Sequence, residues 1–258
     1  MQKIDSMIVK PLFYYKDILP SEKLQDYIKC YWEFQIETFT KKCIDIVPDG
    51  FFDLVITIQD MHIVSCELTG IWDEKIQVPY FSSCKHIGVR FKPIAVQSLF
   101  KQSIGNFLNG SITFDTKEFR IENDIFLNPD NTLELYASYF NKIFEKLLIS
   151  AKTDHRRLKI YKYIDYTEGN ISVDELSCEF GLSNRQLHRI VSHDLGINPK
   201  TYIQIVRVLK MLKIINENNL NPENSFFDQS HLIKNVKRFT GLSPKEFVSS
   251  KNVRFIQF

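Results

Sequence analysis

Eight residues of one pattern occur twice in the last third of this chain. They are Gly196-Ile-Asn-Pro199-Lys200-Thr-Tyr202-Ile and, 45 positions later, Gly241-Leu-Ser-Pro244-Lys245-Glu-Phe247-Val. Each copy has a local physical reading: the Gly closes a helix in the left-handed conformation, and the Pro starts the next helix at a fixed φ. The same offset lays Leu187 on Leu232, Arg189 on Lys234 and Val191 on Val236, so the repeat reaches back into the helix that each Gly ends. A chain built this way holds two helices of one kind in tandem. That constrains its last third to an all-helical fold.

The stretch around the first copy, from Ile171 to Val206, carries the signals of a helix-turn-helix followed by a longer helix. Ser172 and Glu175 make the reciprocal cap S-x-x-E. Val173, Leu176 and Phe180 supply an apolar stripe at helical spacing, and Gly181 marks the turn. Ser183 is a good N-cap for a second helix, whose inward residues are Leu187, Ile190 and Val191. Small Ser177, four residues before Gly181, suits a close crossing of the two. On the outward face Arg185, His188, Arg189 and Ser192 fall at i, i+3, i+4 and i+7, donors suited to base edges in a major groove, with Asn184 and Gln186 flanking them. A plain solvated helix shows the same face, so the motif alone does not decide function.

Two longer segments carry a family resemblance. GLSNRQLHRIVSHDLGINPKTYI (181–203) and FFDQSHLIKNVKRFTGLSPKEF (226–247), the second with its D-Q-S-H and F-x-G-x-S-P elements, resemble the DNA-binding domain of AraC/XylS-type bacterial transcriptional regulators. The resemblance covers about 100 residues. It implies tandem helix-turn-helix units bridged by a long helix, and a double-stranded DNA operator as partner. It implies base contacts at Arg185, His188 and Arg189 in the first unit, and at Gln229, Ser230 and Lys234 in the second. Lys237, one turn beyond, is expected on a phosphate, with Arg238 beside it. The effector, contact with RNA polymerase and a homodimer remain open, and no membrane partner is implied.

One segment departs from the family pattern. NENNLNPENSF, 216–226, stands where the second unit needs a full helix and a Gly-Phe turn, with Pro222 in the place of Ser177 and Phe226 in that of Gly181. Asn competes for local hydrogen bonds and Pro removes a donor, so the second unit is expected to lack its first helix. The bridging helix is expected over about Thr201 to Asn216, roughly 24 Å long. An alternative follows: a degenerate regulator that acts as a small-molecule or protein binding module and docks poorly on DNA.

Charge agrees with the DNA reading. Residues 154–258 carry 16 Lys and Arg against 11 Asp and Glu, whereas the preceding part carries 17 against 20, so the basic excess sits where phosphate contact requires it. The sequence contains no long apolar run, and its N-terminus lacks the apolar stretch of a signal peptide, which points to the cytoplasm. Five cysteines without C-x-x-C spacing read as reduced buried thiols. His62 with Cys66 and Cys84 with His86 are the only metal-like pairs. Same-side alternation on a strand serves a core equally well, so no cofactor and no metal are expected. Phosphate loops, H-E-x-x-H and G-x-S-x-G are all missing, which argues against an enzyme.

The first part reads as short β-branched and aromatic strands at 28–36, 42–47, 52–58, 62–68, 75–78 and 86–91. Pro48-Asp49-Gly50 is a strong turn signal. These features predict an α+β chain of two domains: an N-terminal β-barrel or cupin-like roll with flanking helices over 1–150, and an AraC-type domain over 151–258. Tyr31-Trp32-Glu33, the stretch from Ile46 to Leu54 and Gly88 to Pro93 resemble an uncharacterised sensor-like domain found ahead of AraC-type domains. Arg90 has two readings, an ion pair with Asp49 or Asp53 and a hold on an anionic effector. Tyr31, Trp32, Phe34 and Trp72 are candidate pocket or core aromatics. Short helices follow Pro93, with a broken stretch over 107–126. The helix expected over 132–150 carries a stripe of Leu133, Tyr136, Phe140, Ile143, Phe144 and Leu147, suited equally to a dimer seam and to packing on its own sheet.

Overall fold

The computed structural model describes residues 13–36, 42–80, 84–100, 103–128, 130–152, 154–218 and 229–249. Strands β1 (Phe13–Ile18), β2 (Ile28–Ile36), β4 (Phe52–Gln59), β5 (His62–Thr69), β7 (Cys84–Phe91) and β8 (Ser111–Thr113) form an antiparallel sheet in the order β1-β2-β7-β4-β5-β8. Strands β3 (Lys42–Ile46) and β6 (Ile76–Tyr80) pair separately. The arrangement is an open roll: among the described residues β1 and β8 remain edges, and the expected barrel does not close. Two strands escape a sequence reading. β1 is a half-polar edge strand, and β8, at three residues, is too short for an alternation to register.

Alternation divides the sheet into two faces. Phe52, Leu54 and Ile56 of β4 pair with Phe91, Val89 and Ile87 of β7, and all six are buried in the main core. Tyr31 shares that face, with its ring 5.6 Å from that of Phe140 and its hydroxyl 2.9 Å from Asn141 Oδ1. Cys30, Trp32 and Phe34 turn to the opposite face as a smaller cluster with Tyr15 and Val55. Trp32 lies over Gly88, its cross-strand partner, where any Cβ would collide with the indole.

Helices α1 (Ala95–Leu99) and α2 (Leu133–Ile149) cover the main face. Leu133, Tyr136, Phe140 and Phe144 of α2 are buried there, so the apolar stripe packs on its own sheet and is not available as a dimer seam. The helical region follows as α3 (His155–Tyr166), α4 (Val173–Glu179), α5 (Asn184–Leu195), α6 (Pro199–Asn218), α7 (Gln229–Thr240) and α8 (Pro244–Ser249). At 20 residues α6 is longer than expected, about 30 Å. Pro199 begins it within the repeat, and it runs on through Asn216 and Asn218.

The core runs unbroken from the sheet into the helices. The Pro48-Asp49-Gly50 turn does as its chemistry predicts: Phe51 N donates to Asp49 Oδ1 at 3.0 Å, and Gly50 has φ +76°. It also seats against α6, since a Cβ on Gly50 would stand 3.1 Å from the Tyr202 ring. Among the described residues no helix is long and apolar enough to cross a membrane.

Candidate nucleic-acid interface

Local chemistry fixes α4 and α5 as the sequence suggests. Glu175 N donates to Ser172 Oγ at 3.2 Å while Ser172 N donates to Glu175 Oε2 at 2.8 Å. The Ser172 backbone N–H and then its hydroxyl hold the Glu175 carboxyl below the usual carboxylate range. Gly181 makes the turn at φ +56°, with Leu182 N donating to Ser177 O at 2.8 Å. Ser177 is buried at the crossing, its hydroxyl without a partner among the described residues. Ser183 and Gln186 form a second reciprocal cap at the start of α5. Gly196, at φ +77°, closes the helix by donating its N–H to Ser192 O at 3.0 Å.

Leu187, Val191 and Leu195 pin one face of α5 in the core. The six candidate readers on or beside the other face divide by what already holds them. Asn184 Nδ2 donates to Asp174 Oδ1, tying α5 to α4, and Gln186 is engaged in the cap. Ser192 Oγ donates to Ile197 O at 3.1 Å and lies 3.3 Å from His188 Nδ1. Arg185 and Arg189 are exposed and make no hydrogen bond or ion pair with any described residue. An open cleft of 650 Å³ runs along this face, lined by Ser183, Asn184, Arg185, Gln186, His188 and Arg189.

The second copy closes the same way. Gly241, at φ +74°, donates its N–H to Lys237 O at 2.9 Å, and Ser243 with Glu246 caps α8. Val236 and Phe239 are buried, while Lys234, Lys237 and Arg238 are exposed. The Arg238 guanidinium lies 5.1 Å from the centre of the Phe239 ring. Gln229 and Ser230 fall in the first turn of α7, but their side chains lie outside the described residues. So do 219–228, which take in most of the segment 216–226 expected to lack a helix.

A family model described as a helix-turn-helix domain matches residues 176–250, from α4 through α8. Residues 176–250 form a helix-turn-helix domain of the AraC type. A second model, described as a domain of unknown function (DUF6597), matches residues 16–113, in the sheet region. No curated protein matches the sequence. Solved structures of ToxT from Vibrio cholerae are similar. One, at 1.65 Å resolution, aligns at 10% identity over 93% of this chain and 98% of that one, with a TM-score of 0.44. The wild-type protein with an unsaturated fatty acid bound aligns at 11% identity over 96% and 97%, with a TM-score of 0.41.

In the sheet region the five candidate ligand residues do not share one lining. Tyr31 faces the main core and Trp32 the opposite side, as alternation dictates. Arg90 Nε lies 3.1 Å from Asp53 Oδ1 and Arg90 Nη1 lies 3.6 Å from Asp49 Oδ2, while Trp32 Nε1 donates to Asp53 Oδ1 at 2.7 Å. Trp32, Asp49 and Arg90 thus belong to one ion-paired cluster, and Trp72 is half-buried elsewhere on the loop after β5. Burial pushes the neighbouring Cys30 thiol up to about 12. All five cysteines are free, but Cys43 and Cys178 are exposed, so only three fit the expectation of burial.

One residue that holds α5 in place has little signature in the sequence. Asp194 is fully buried near the end of α5. Its Oδ1 accepts from Arg157 Nη1 at 2.6 Å and Gln97 Nε2 at 2.7 Å, and its Oδ2 from Tyr161 Oη at 3.0 Å. Burial, and then the carboxylate itself, hold the Tyr161 hydroxyl well above its usual pKa and therefore protonated as the donor. The available signal was an acid in register with the apolar stripe of Leu187, Val191 and Leu195.

Proposed function

We propose that this regulator reads a DNA operator chiefly through α5, with Arg185, His188 and Arg189 on base edges. The observation that carries this reading is the contrast across α5: one face is fully buried, and the other presents two guanidiniums that no described residue engages. Arg is the side chain best suited to bidentate contact with guanine. In the second unit Gln229, Ser230 and Lys234 complete the readout, and Lys237 and Arg238 hold phosphates. Asn184, Gln186 and Ser192 act on the same interface mainly by shaping α5, because each is already bonded within the protein.

We further propose that residues 1–150 act as a sensor domain, that 151–258 act as the DNA-binding domain, and that a small-molecule effector biases DNA binding. The unbroken core between sheet and helices supports coupling of the two. The Arg90 cluster reads better as an internal brace than as an effector site, since two carboxylates already occupy the guanidinium. Contact with RNA polymerase and action as a homodimer in the cytoplasm complete the reading.

Replacement of Arg189 by Ala tests it. Affinity for the selected operator is expected to fall by about 1 to 3 kcal/mol, with little change on random DNA. An equal loss on both would place Arg189 on phosphate alone.

A further inference from the structure

The sheet region touches both recognition helices at the same place in the repeat. At the first, the segment after α1 carries Ser103 and Gly105 against the end of α5. An added Cβ on Gly105 would stand 2.7 Å from the Gly196 nitrogen and 2.9 Å from its Cα, so the two glycines meet backbone to backbone. Gly105 has an ordinary φ, and its lack of a side chain is therefore explained by this approach rather than by conformation. Ser103 Oγ donates to His193 O, one of the last carbonyls of α5, and Gln97 of α1 donates to buried Asp194. At the second contact, Lys75 lies with its Cε and Nζ each 3.4 Å from where a Cβ on Gly241 would be. Lys75 is itself held 3.4 Å from Asp45 Oδ2, whose other oxygen accepts from Gln77 at 2.8 Å. Gly196 and Gly241 are equivalent members of the repeat.

Neither contact covers a reading face. Arg185, His188 and Arg189 lie in the first half of α5, toward the end away from Gly196, and remain exposed. The sheet region therefore grips the helices by their closing turns and leaves the donors free. The backbone contact at Gly196 fixes the angle at which α5 stands, the Lys75 contact bears more loosely on α7, and readout of base edges needs geometry held to about 0.5 Å and 10–20°.

We propose that the sheet region is a two-point brace on the recognition helices, and that Gln97, Ser103, Gly105 and Lys75 are positioning residues for DNA readout. The proposal rests on the AraC-type reading given above. It names the route by which a change in the sheet region alters operator affinity: displacement of the 103–105 contact tilts α5 without touching any residue on the DNA.

The test uses the full-length protein and its selected operator, with a random duplex of equal length as the second ligand. Gly105→Ala is compared with Gly110→Ala, a nearby control whose added Cβ would meet nothing closer than 3.6 Å. Gly105→Ala is expected to lower operator affinity about tenfold and to leave random-DNA affinity unchanged, while Gly110→Ala stays within about twofold on both. Amide exchange at 192–197 is expected to quicken in Gly105→Ala alone. If Gly105→Ala does not fold, the paired Gln97→Ala and Ser103→Ala variant decides by the same readouts. Lys75→Ala is expected to weaken preference only in the part of the operator read by α7. Operator affinity kept or raised while exchange at 192–197 quickens would overturn the proposal alone. A wild-type protein without sequence preference would overturn the DNA reading, and the proposal with it.

Discussion

The two helix-turn-helix units end alike and begin differently. Gly196 and Gly241 close α5 and α7 at φ +77° and +74°, each donating back four residues, and Pro199 and Pro244 each open the next helix. At the entry, α5 has α4, two reciprocal caps and the Gly181 turn behind it. The second unit has the Asn-rich segment 216–226 in that place. The exit of each of these two helices is thus the repeated part, and the sheet region is built against it. The entry is where the sequences of the units have diverged, and in the first unit α4, the turn and α5 are held there by a cap on each helix and the Leu182–Ser177 bond between them.

Substitution of the two closing glycines breaks the comparison most strongly. Ala costs about 1–2 kcal/mol at either in the left-handed region. At Gly196 its Cβ would also stand 2.7 Å from the Gly105 oxygen, whereas at Gly241 it meets only the movable end of Lys75 at 3.4 Å. Thermal or denaturant unfolding should therefore show Gly196→Ala destabilised by about 1–3 kcal/mol more than Gly241→Ala. Equal losses would mean that the 105–196 contact carries no strain.

Next in size is the difference in readout. Arg189→Ala should weaken operator binding selectively, while Lys237→Ala should weaken operator and random DNA alike and reduce the salt slope by about one. A salt slope unchanged in Lys237→Ala would remove α7 from the phosphate backbone. Loss of the α5 cap is smaller: Ser183→Ala should cost about 1 kcal/mol of stability, measured by urea titration, and Ser243→Ala at α8 a similar amount. The smallest effect has the opposite sign. Ser177→Ala removes a buried hydroxyl that lacks a partner among the described residues, and its free energy of unfolding should match or exceed that of the wild type, by up to about 1 kcal/mol. A clear loss would show that the hydroxyl is bonded in solution.

Periodicity made much of this legible. The strand at 52–59 and the stripe of α2 announce themselves by alternation and by three-four spacing, and the exposed face of α5 follows from counting along one helix. The reciprocal caps are readable because each is a local contract among four residues. What escaped is non-local. Asp194 looks like one more solvated acid until Gln97, 97 residues earlier, and Arg157, 37 residues earlier, converge on it. Gly105 looks like a loop glycine until Gly196 lies against it. Tyr31 and Trp32, adjacent aromatics, read alike as pocket or core candidates by residue type, and strand alternation sends them to opposite faces.

Selection of bound duplexes from a random pool, with the full-length protein, tests the central claim most directly. The account predicts a two-part motif with its halves about one helical turn apart, the stronger half lost in Arg189→Ala. A single short motif that survives Arg189→Ala, or no enrichment at all, would contradict it.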